Sequence, residues 1–349
     1  MVTHYRQNST RTSEATVKHK LHKELQALVI EYQELNGIHI KRYEKPPSAL
    51  EIHRDCISPG RPAVIKGVTD HWPAAKGWTN SYLRETLGDQ EITVAITPNG
   101  LADAVTVDPV SGQEYFVTPY EKKMPFDKFL DIMLGEKSEY PHYASLQNSS
   151  LTTEYGALMK DVDADIPWFS EALGRKPDAI NFWFGDKRSK TCLHKDPYEN
   201  CYAVVRGTKT FTILPPIEYY CIHESTYPCA TYVMNEGGKL QLSPLDPSIR
   251  TPFTTVDPCA PDLERHPRFQ HAKPITVTVS EGEMLYLPAF WMHQVTQDGP
   301  EGVIAVNYWY DLDYQSILYP TVNHLRRLVA GVLDDNEDLA GCDSSDEEE

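Results

Sequence analysis

Thr191-Cys192-Leu193-His194-Lys195-Asp196, read together with Leu287-Pro288-Ala289-Phe290-Trp291-Met292-His293, decides the architecture of this chain. Two histidines and one carboxylate are the set that holds one face of a non-haem iron(II) and leaves the opposite positions open. Residues two apart on an extended strand point to the same side, so His194 and Asp196 can share one metal. His293 joins them only if a second strand returns across almost a hundred residues, as in a small antiparallel barrel. Open coordination positions mark a catalytic metal rather than a structural one.

Working outward, the second half of the chain is dominated by short β-branched and aromatic runs. They are Ile180 to Gly185, Tyr202 to Arg206, Thr210 to Leu214, Ile275 to Val279, Met284 to Leu287 and Val303 to Tyr310. Gly207, Pro215-Pro216, Gly282, Pro288 and Gly302 punctuate them as turns. No helical pattern of useful length interrupts the series, which predicts an antiparallel barrel or jelly roll rather than a parallel α/β sheet. Residues 217–274 are proline-rich and give no clear pattern; an insertion over the barrel mouth is the expectation.

The first half mixes both periods. Residues 1–17 are polar and are expected to form a disordered arm. Leu21, Leu25, Leu28, Val29, Tyr32 and Leu35 then recur at helical spacing before Gly37, predicting a helix from Lys18. Trp78 to Leu87 and Phe126 to Leu134 read as amphipathic helices, and Glu91 to Ile96 as a strand. Arg61 to Gly67 reads as a strand entering a turn. After the last strand, a closing helix is expected over about 321–333. The expected organisation is one catalytic domain over 18–333, with its jelly-roll core at about 141–315. An acidic, disordered tail over 334–349 follows.

Composition bounds the function. The chain has 349 residues, 33 basic and 50 acidic, for a net charge of −17. Without a basic stripe interleaved with aromatics, direct nucleic-acid binding is not expected. No run approaches a membrane span, and the start lacks the apolar core of a secretory signal. Seven cysteines without CxxC spacing point to reduced thiols and a cytoplasmic or nuclear setting.

Other residues carry chemistry less plainly. Thr191 and Lys209 offer a hydroxyl and a cation for the far carboxylate of a dicarboxylate co-substrate. A lysine on a strand is more often solvent-facing, however, and strict alternation puts Thr191 and His194 on opposite faces unless a bulge intervenes. Tyr143, Asn200, Asn307 and Trp309 are equally readable as ordinary barrel-lining groups.

With these residues assembled, the chain resembles the JmjC-type, cupin-like 2-oxoglutarate oxygenases, on the protein-hydroxylase branch. Thr191-x-x-His194-x-Asp196-x-x-x-Asn200, Gly207-x-Lys209, Pro215-Pro216, Trp291-x-His293 and Val306-Asn307-Tyr308-Trp309-Tyr310 resemble the asparaginyl hydroxylases acting on hypoxia-inducible factor. A closer likeness is to the lysyl hydroxylases acting on developmentally regulated GTP-binding proteins, from about residue 25 to 320. It includes Pro46-Pro47, His71-Trp72-Pro73, Ser170 to Gly174, Asp178 to Trp183 and Gly282 to Pro288.

The resemblance implies a mainly β fold with flanking helices, a double-stranded β-helix. It implies iron(II) held by His194, Asp196 and His293. It also implies 2-oxoglutarate held by Lys209 with Thr191, Tyr143, Asn200 and Asn307, and O₂ as the third reactant. A protein substrate, a GTP-binding protein, and a homodimer through the closing helix follow in the same way. For a substrate lysine's ammonium, Asp186, Tyr198 and Glu199 are the candidates. Three rival readings share the fold: a histone-tail demethylase, a metal-dependent endopeptidase and an inactive cupin-like binding protein. The first commonly carries zinc-bound reader domains, for which this chain lacks the cysteine spacing.

Overall fold

Eight strands carry the architecture, numbered here in chain order. They are β1 (Ala179–Gly185), β2 (Lys190–His194), β3 (Tyr198–Arg206), β4 (Thr208–Leu214), β5 (Ile275–Ser280), β6 (Glu283–Leu287), β7 (Met292–Asp298) and β8 (Val303–Asp311). The computed structural model describes residues 2–247 and 249–334, with residues 2–14 as backbone. The strands pair antiparallel into two facing sheets, β6-β3-β8-β1 and β5-β4-β7-β2. This is the jelly roll expected from the sequence.

Local chemistry explains the pleats. In β5 the sequence Ile-Thr-Val-Thr-Val-Ser buries Ile275, Val277 and Val279 and exposes the residues between them, the period-2 signature of a sheet with one wet face. Strand β8 is buried along nearly its whole length because the sheet is covered on both sides. Tyr202, Phe211 and Val295 lie in the apolar cluster between the sheets and also line the cavity described below. Gly207 sits at φ 78° in the β3–β4 turn, a conformation that disfavours any residue with a Cβ.

The first half of the chain extends the larger sheet at both edges. Ala63–Lys66 pairs with β6, and Lys41–Tyr43 pairs with it in turn. On the other side His142–Ala144, Glu91–Ile96 and Tyr120–Pro125 add beyond β1. The amphipathic helices at Asn80–Leu87 and Phe126–Met133 cover the back of this sheet, burying Leu83, Leu87, Phe126 and Phe129 in the largest core cluster. The first helix starts at Asn80 rather than Trp78 because the Thr79 side chain accepts the Tyr82 N–H, capping it there. Trp78 instead packs edge-on against Phe182, with ring centroids 5.6 Å apart.

Other boundaries move further. The helix expected from Lys18 starts at Val2 and runs to Asn36, so the stretch expected to be a disordered arm is helical. Tertiary packing from Leu21 onward supports a helix whose early residues have weak apolar periodicity. The unassigned 217–274 segment contributes Ser225–Met234, Leu240–Pro244 and Arg250–Phe253. These join Glu114–Thr118 and Ala104–Val107 in a third sheet. The closing helix begins at Leu318 and widens into a π-helical stretch over Leu328–Leu333. The tail over 335–349 lies outside the described residues.

One packing layer bears directly on the site. Leu25 and Val29 of the N-terminal helix and Val329 and Leu333 of the closing helix share a cluster with Leu193 of β2, Leu214 of β4 and Met292 of β7. Leu193 and Met292 each precede a histidine of the candidate metal set. Both terminal helices therefore press on the outer face of the strands that carry those histidines. The closing helix, expected to meet a second copy, turns Val322, Val329, Ala330 and Leu333 into its own chain and leaves Ile317 just before it 82% exposed.

Candidate active site

His194 lies directly across from His293 in the β2–β7 pairing, and the register shifts between Thr191 and His194. That irregularity supplies what strict alternation denies: both Thr191 and His194 line one cavity of about 330 Å³. Asp196 follows just beyond the end of β2, where its carbonyl accepts the Phe290 N–H at 2.9 Å. Phe290 holds a positive φ of 63° at this crossing.

The three side chains converge. One ligand atom from each of His194, Asp196 and His293 lies within 4.8 Å of the others. An Asp196 carboxylate oxygen is 3.7 Å from His194 Nε2 and 3.5 Å from His293 Nε2. Each imidazole donates Nδ1–H to a backbone carbonyl, His194 to Cys192 at 2.8 Å and His293 to Trp291 at 3.0 Å. A carbonyl only accepts, so both rings are fixed in the tautomer that presents a bare Nε2 to the cavity. Burial lowers His293 to about 4, with His194 lowering it further and Asp196 opposing, so its ring is neutral at ordinary pH. Two oriented imidazoles beside one carboxylate, with open space on one side, fit a catalytic divalent metal.

The rest of the cavity wall comes from the concave face of the larger sheet. Asn200 and Tyr202 from β3, Asn307 and Trp309 from β8, Trp183 from β1 and Tyr143 line it. Trp183 Nε1 donates to Asn307 at 2.7 Å, and the Asn307 amide donates to Asn200 at 3.0 Å, so the two asparagines are held in one chain. Gly185 faces Tyr143 across the β1 edge; a Cβ there falls 2.6 Å from the tyrosine ring. Only glycine admits the ring at that position.

Lys209 is 1% exposed. Its ammonium donates to the Tyr143 hydroxyl at 2.9 Å and sits over the Tyr143 and Tyr202 rings at 5.2 and 5.6 Å. No carboxylate pairs with it among the described residues. Burial alone lowers its pKa from 10.5 to about 7. A buried ammonium with one hydrogen bond and no counter-charge is costly unless an anion joins it, and the residues present fit an anionic co-substrate.

Of the residues expected to meet a substrate cation, the structure keeps one near the cavity. Tyr198 stacks flat on Trp309, with centroids 4.8 Å apart at 4°. Asp186 is turned away, its carboxylate clasped by the Arg188 guanidinium at 2.6 and 2.9 Å. Glu199 stands between Tyr198 and Asn200 on β3, so alternation sends it to the opposite face. There it accepts the Tyr286 hydroxyl at 2.7 Å and lines a separate apolar cavity. Sequence spacing missed Trp183, Tyr202, Asp103 and Glu121 as cavity residues. Tyr202 alone carried a signal, two positions after Asn200 on the same face.

The strand junction is also braced from outside. Lys195, between the two first ligands, donates to Glu224 at 2.9 Å, and Arg326 of the closing helix donates to the other oxygen of Glu224 at 2.7 Å. The Tyr219 hydroxyl adds a third bond to this buried carboxylate. Burial alone would raise Glu224, but Lys195 and Arg326 outweigh it and hold the group at about 2.

With this geometry in view, the likenesses are informative. The family model of the cupin-like domain matches residues 49–316. Over 273 residues the chain is 42% identical to the human bifunctional peptidase and (3S)-lysyl hydroxylase JMJD7, covering 78% of this chain and 84% of that protein. It is 40% identical to JmjC domain-containing protein E of Dictyostelium discoideum, over 79% of this chain and 84% of the relative. The chain belongs to the cupin-like JmjC family. Lysine-specific demethylase JMJ32 of Arabidopsis thaliana is a further member, 38% identical over 88% of this chain and 92% of its own length. JmjC domains are 2-oxoglutarate oxygenases, and this JmjC chain is an enzyme of that class. No helix among the described residues is long and apolar enough to cross a membrane.

Two outcomes are expected. Adding Mn(II) or Co(II) to metal-stripped protein should raise the melting temperature, since a ligand bound only by the native state stabilises it. That rise should vanish in His293→Ala and Asp196→Ala, read by differential scanning fluorimetry. Glu224→Gln should destabilise by roughly 3 kcal/mol, because it leaves two cations around a neutral group. With the folded pKa held below the ordinary 4.5, the Glu224 contribution is complete above that value and is lost as pH falls toward about 2. The loss of stability with falling pH over that window should therefore be shallower in Glu224→Gln than in the wild type, read by acid-unfolding curves.

Proposed function

We propose that this JmjC protein is an iron(II)- and 2-oxoglutarate-dependent protein hydroxylase that oxidises a lysine side chain, with a GTP-binding protein as the protein substrate. The observation that carries the oxygenase part is Lys209, a buried ammonium with no carboxylate partner among the described residues, bonded to the Tyr143 hydroxyl of the cavity that also holds the His-Asp-His set. The lysine part rests on the human relative, whose name states a lysyl hydroxylase activity. The GTP-binding protein follows from the family resemblance of the sequence.

The residues divide the work. His194, Asp196 and His293 would hold the iron. Lys209, with the Tyr143 and Thr191 hydroxyls, would take the distal carboxylate of 2-oxoglutarate, a charge-assisted contact. Asn200 and Asn307, tied to Trp183, would orient the rest of that molecule, and Tyr202 and Phe211 would keep water from it. When bound, iron(II) lets 2-oxoglutarate and O₂ yield succinate, CO₂ and one oxygen atom for insertion into a substrate C–H bond. The chain's own contribution is alignment of the reactants and exclusion of solvent.

Incubation of a GTP-binding protein substrate with enzyme, iron(II), 2-oxoglutarate and O₂ should add one oxygen to a lysine, detected by fragment-ion mass spectrometry. The gain should be absent with His194→Ala enzyme and without 2-oxoglutarate. A shortened chain would point instead to a peptidase, and a lost methyl group to a demethylase. Because the Lys209 ammonium is needed in its charged form, 2-oxoglutarate affinity should weaken as pH rises through about 7. Binding at pH 8 should take up protons, measurable by calorimetry in buffers of differing ionisation enthalpy; pH-independent affinity would remove Lys209 from the role.

A further inference from the structure

The cavity is electrically lopsided, and the acidic end lacks an assignment. Across the larger sheet, Tyr143 pairs with Ala95 and Ala95 with Glu121, so all three share one face in a single row. Tyr143 and Glu121 are thus two strand spacings apart, roughly 10 Å, with only a methyl group between them. Tyr143 binds Lys209 at one end of the row. Glu121 stands at the other.

Asp103 reaches the same space from another direction. The short strand Leu101–Ala102 pairs parallel with β2, Ala102 opposite Thr191, and Asp103 follows at once with φ 53°. Both Asp103 and Glu121 line the cavity beside His194 and Asp196. Asp103 is half-buried and Glu121 is exposed at the cavity's open side, and neither carboxylate has a hydrogen bond or ion pair among the described residues. Burial lifts the Asp103 carboxyl above the usual carboxylate range, with His194 lowering it and Glu121 raising it further.

A second observation comes from another part of the same cavity wall. Trp309 lines the same cavity, is 5% exposed, and its indole Nε1–H has no acceptor among the described residues. Buried indole N–H groups find a partner in the great majority of proteins. Here none is found among the described residues.

Resting on the lysyl hydroxylase reading above, we infer that Asp103 and Glu121 form the subsite for the side-chain ammonium of the substrate lysine, with Trp309 Nε1 donating to a carbonyl of the substrate backbone. The chemistry of the substrate agrees. The C3 carbon of lysine lies four bonds from its nitrogen, a reach of roughly 5 Å with bonds of about 1.5 Å. A C–H placed at the metal therefore puts the ammonium on the cavity wall close to the metal ligands, where Asp103 stands. Lys209 at the opposite end repels a second cation, so the same cavity separates a dianionic co-substrate from a cationic substrate by sign of charge alone.

The test uses the full chain and three randomised peptide pools whose fixed central residue is lysine, norleucine or glutamate. Mn(II)-loaded enzyme with 2-oxoglutarate reads retention of each pool; iron-loaded enzyme in air reads oxidation of the central residue. Wild type should favour the lysine pool over the norleucine pool in both assays. That preference should fall at least tenfold in Asp103→Asn and in Glu121→Gln, and further in the double variant, while the glutamate pool gains. Asparagine tolerates the positive φ at position 103, and Glu121→Asp should restore part of the preference that Glu121→Gln removes, which a folding defect would not. An unchanged lysine preference in the double variant would overturn the subsite and leave lysyl hydroxylation standing. Preferential retention of the lysine pool without oxidation of any lysine would sink the hydroxylase reading and keep the subsite. Indifference of the wild type between lysine and norleucine in both assays would remove both.

Discussion

The pairing of β2 with β7 is the constraint on which the remainder of the molecule depends. It sets His194 opposite His293, ninety-nine positions later in the chain, and its irregular register turns Thr191 into the same cavity. A one-residue slip in such a pair would send one histidine to the outer face and its neighbour, Leu193 or Met292, into the cavity. Register is therefore fixed on both sides. Apolar packing under the terminal helices holds Leu193 and Met292 outward, and the carbonyls of Cys192 and Trp291 hold the rings inward.

Much of this was legible in the sequence because the jelly roll writes itself in period-2 alternation. Strands such as Ile275–Ser280 declare a buried and an exposed face, and the His-x-Asp with its remote histidine is meaningful only if such strands meet. The structure turns Glu199 and Asp186 to partners outside the metal cavity for different reasons. The first obeys alternation that was not applied to it. The second satisfies its charge locally, with Arg188 two residues on, before any substrate is considered. Asp103 and Glu121 lay beyond reach because neither belongs to a motif. One occupies a turn after a two-residue strand, and the other sits on an outer strand of the extended sheet, so only the assembled register brings them to the metal ligands. The Val2–Asn36 helix shows the converse failure, since contacts made from Leu21 onward carry a helix that its first residues do not announce.

Charge organises the interior as firmly as shape does. Several ionised groups find partners within the chain: Glu224 between Lys195 and Arg326, Arg188 with Asp186, Arg265 with Glu114. Lys209 has no anion among the described residues, half-buried Asp103 and exposed Glu121 have no cation, and all three lie in or against one cavity. A buried charge such as Lys209, left without a counter-charge by the chain, is the kind of group that a bound molecule completes.

The layer of helices behind β2 and β7 bears on how the protein is made. Its members include Leu25, Val29, Leu193, Leu214, Met292, Val329 and Leu333, so two segments far apart in the chain close on one another over the strands between them. The metal set is not fully braced until residues 326–333 are in place, because Arg326 and Leu333 belong to that closing helix. Long-range pairing of this kind is slow to form and exposed to misassembly in the meantime. A chain without its closing helix would hold His194 and Asp196 without that backing, so the ligand set gains its full support only when both terminal helices have docked.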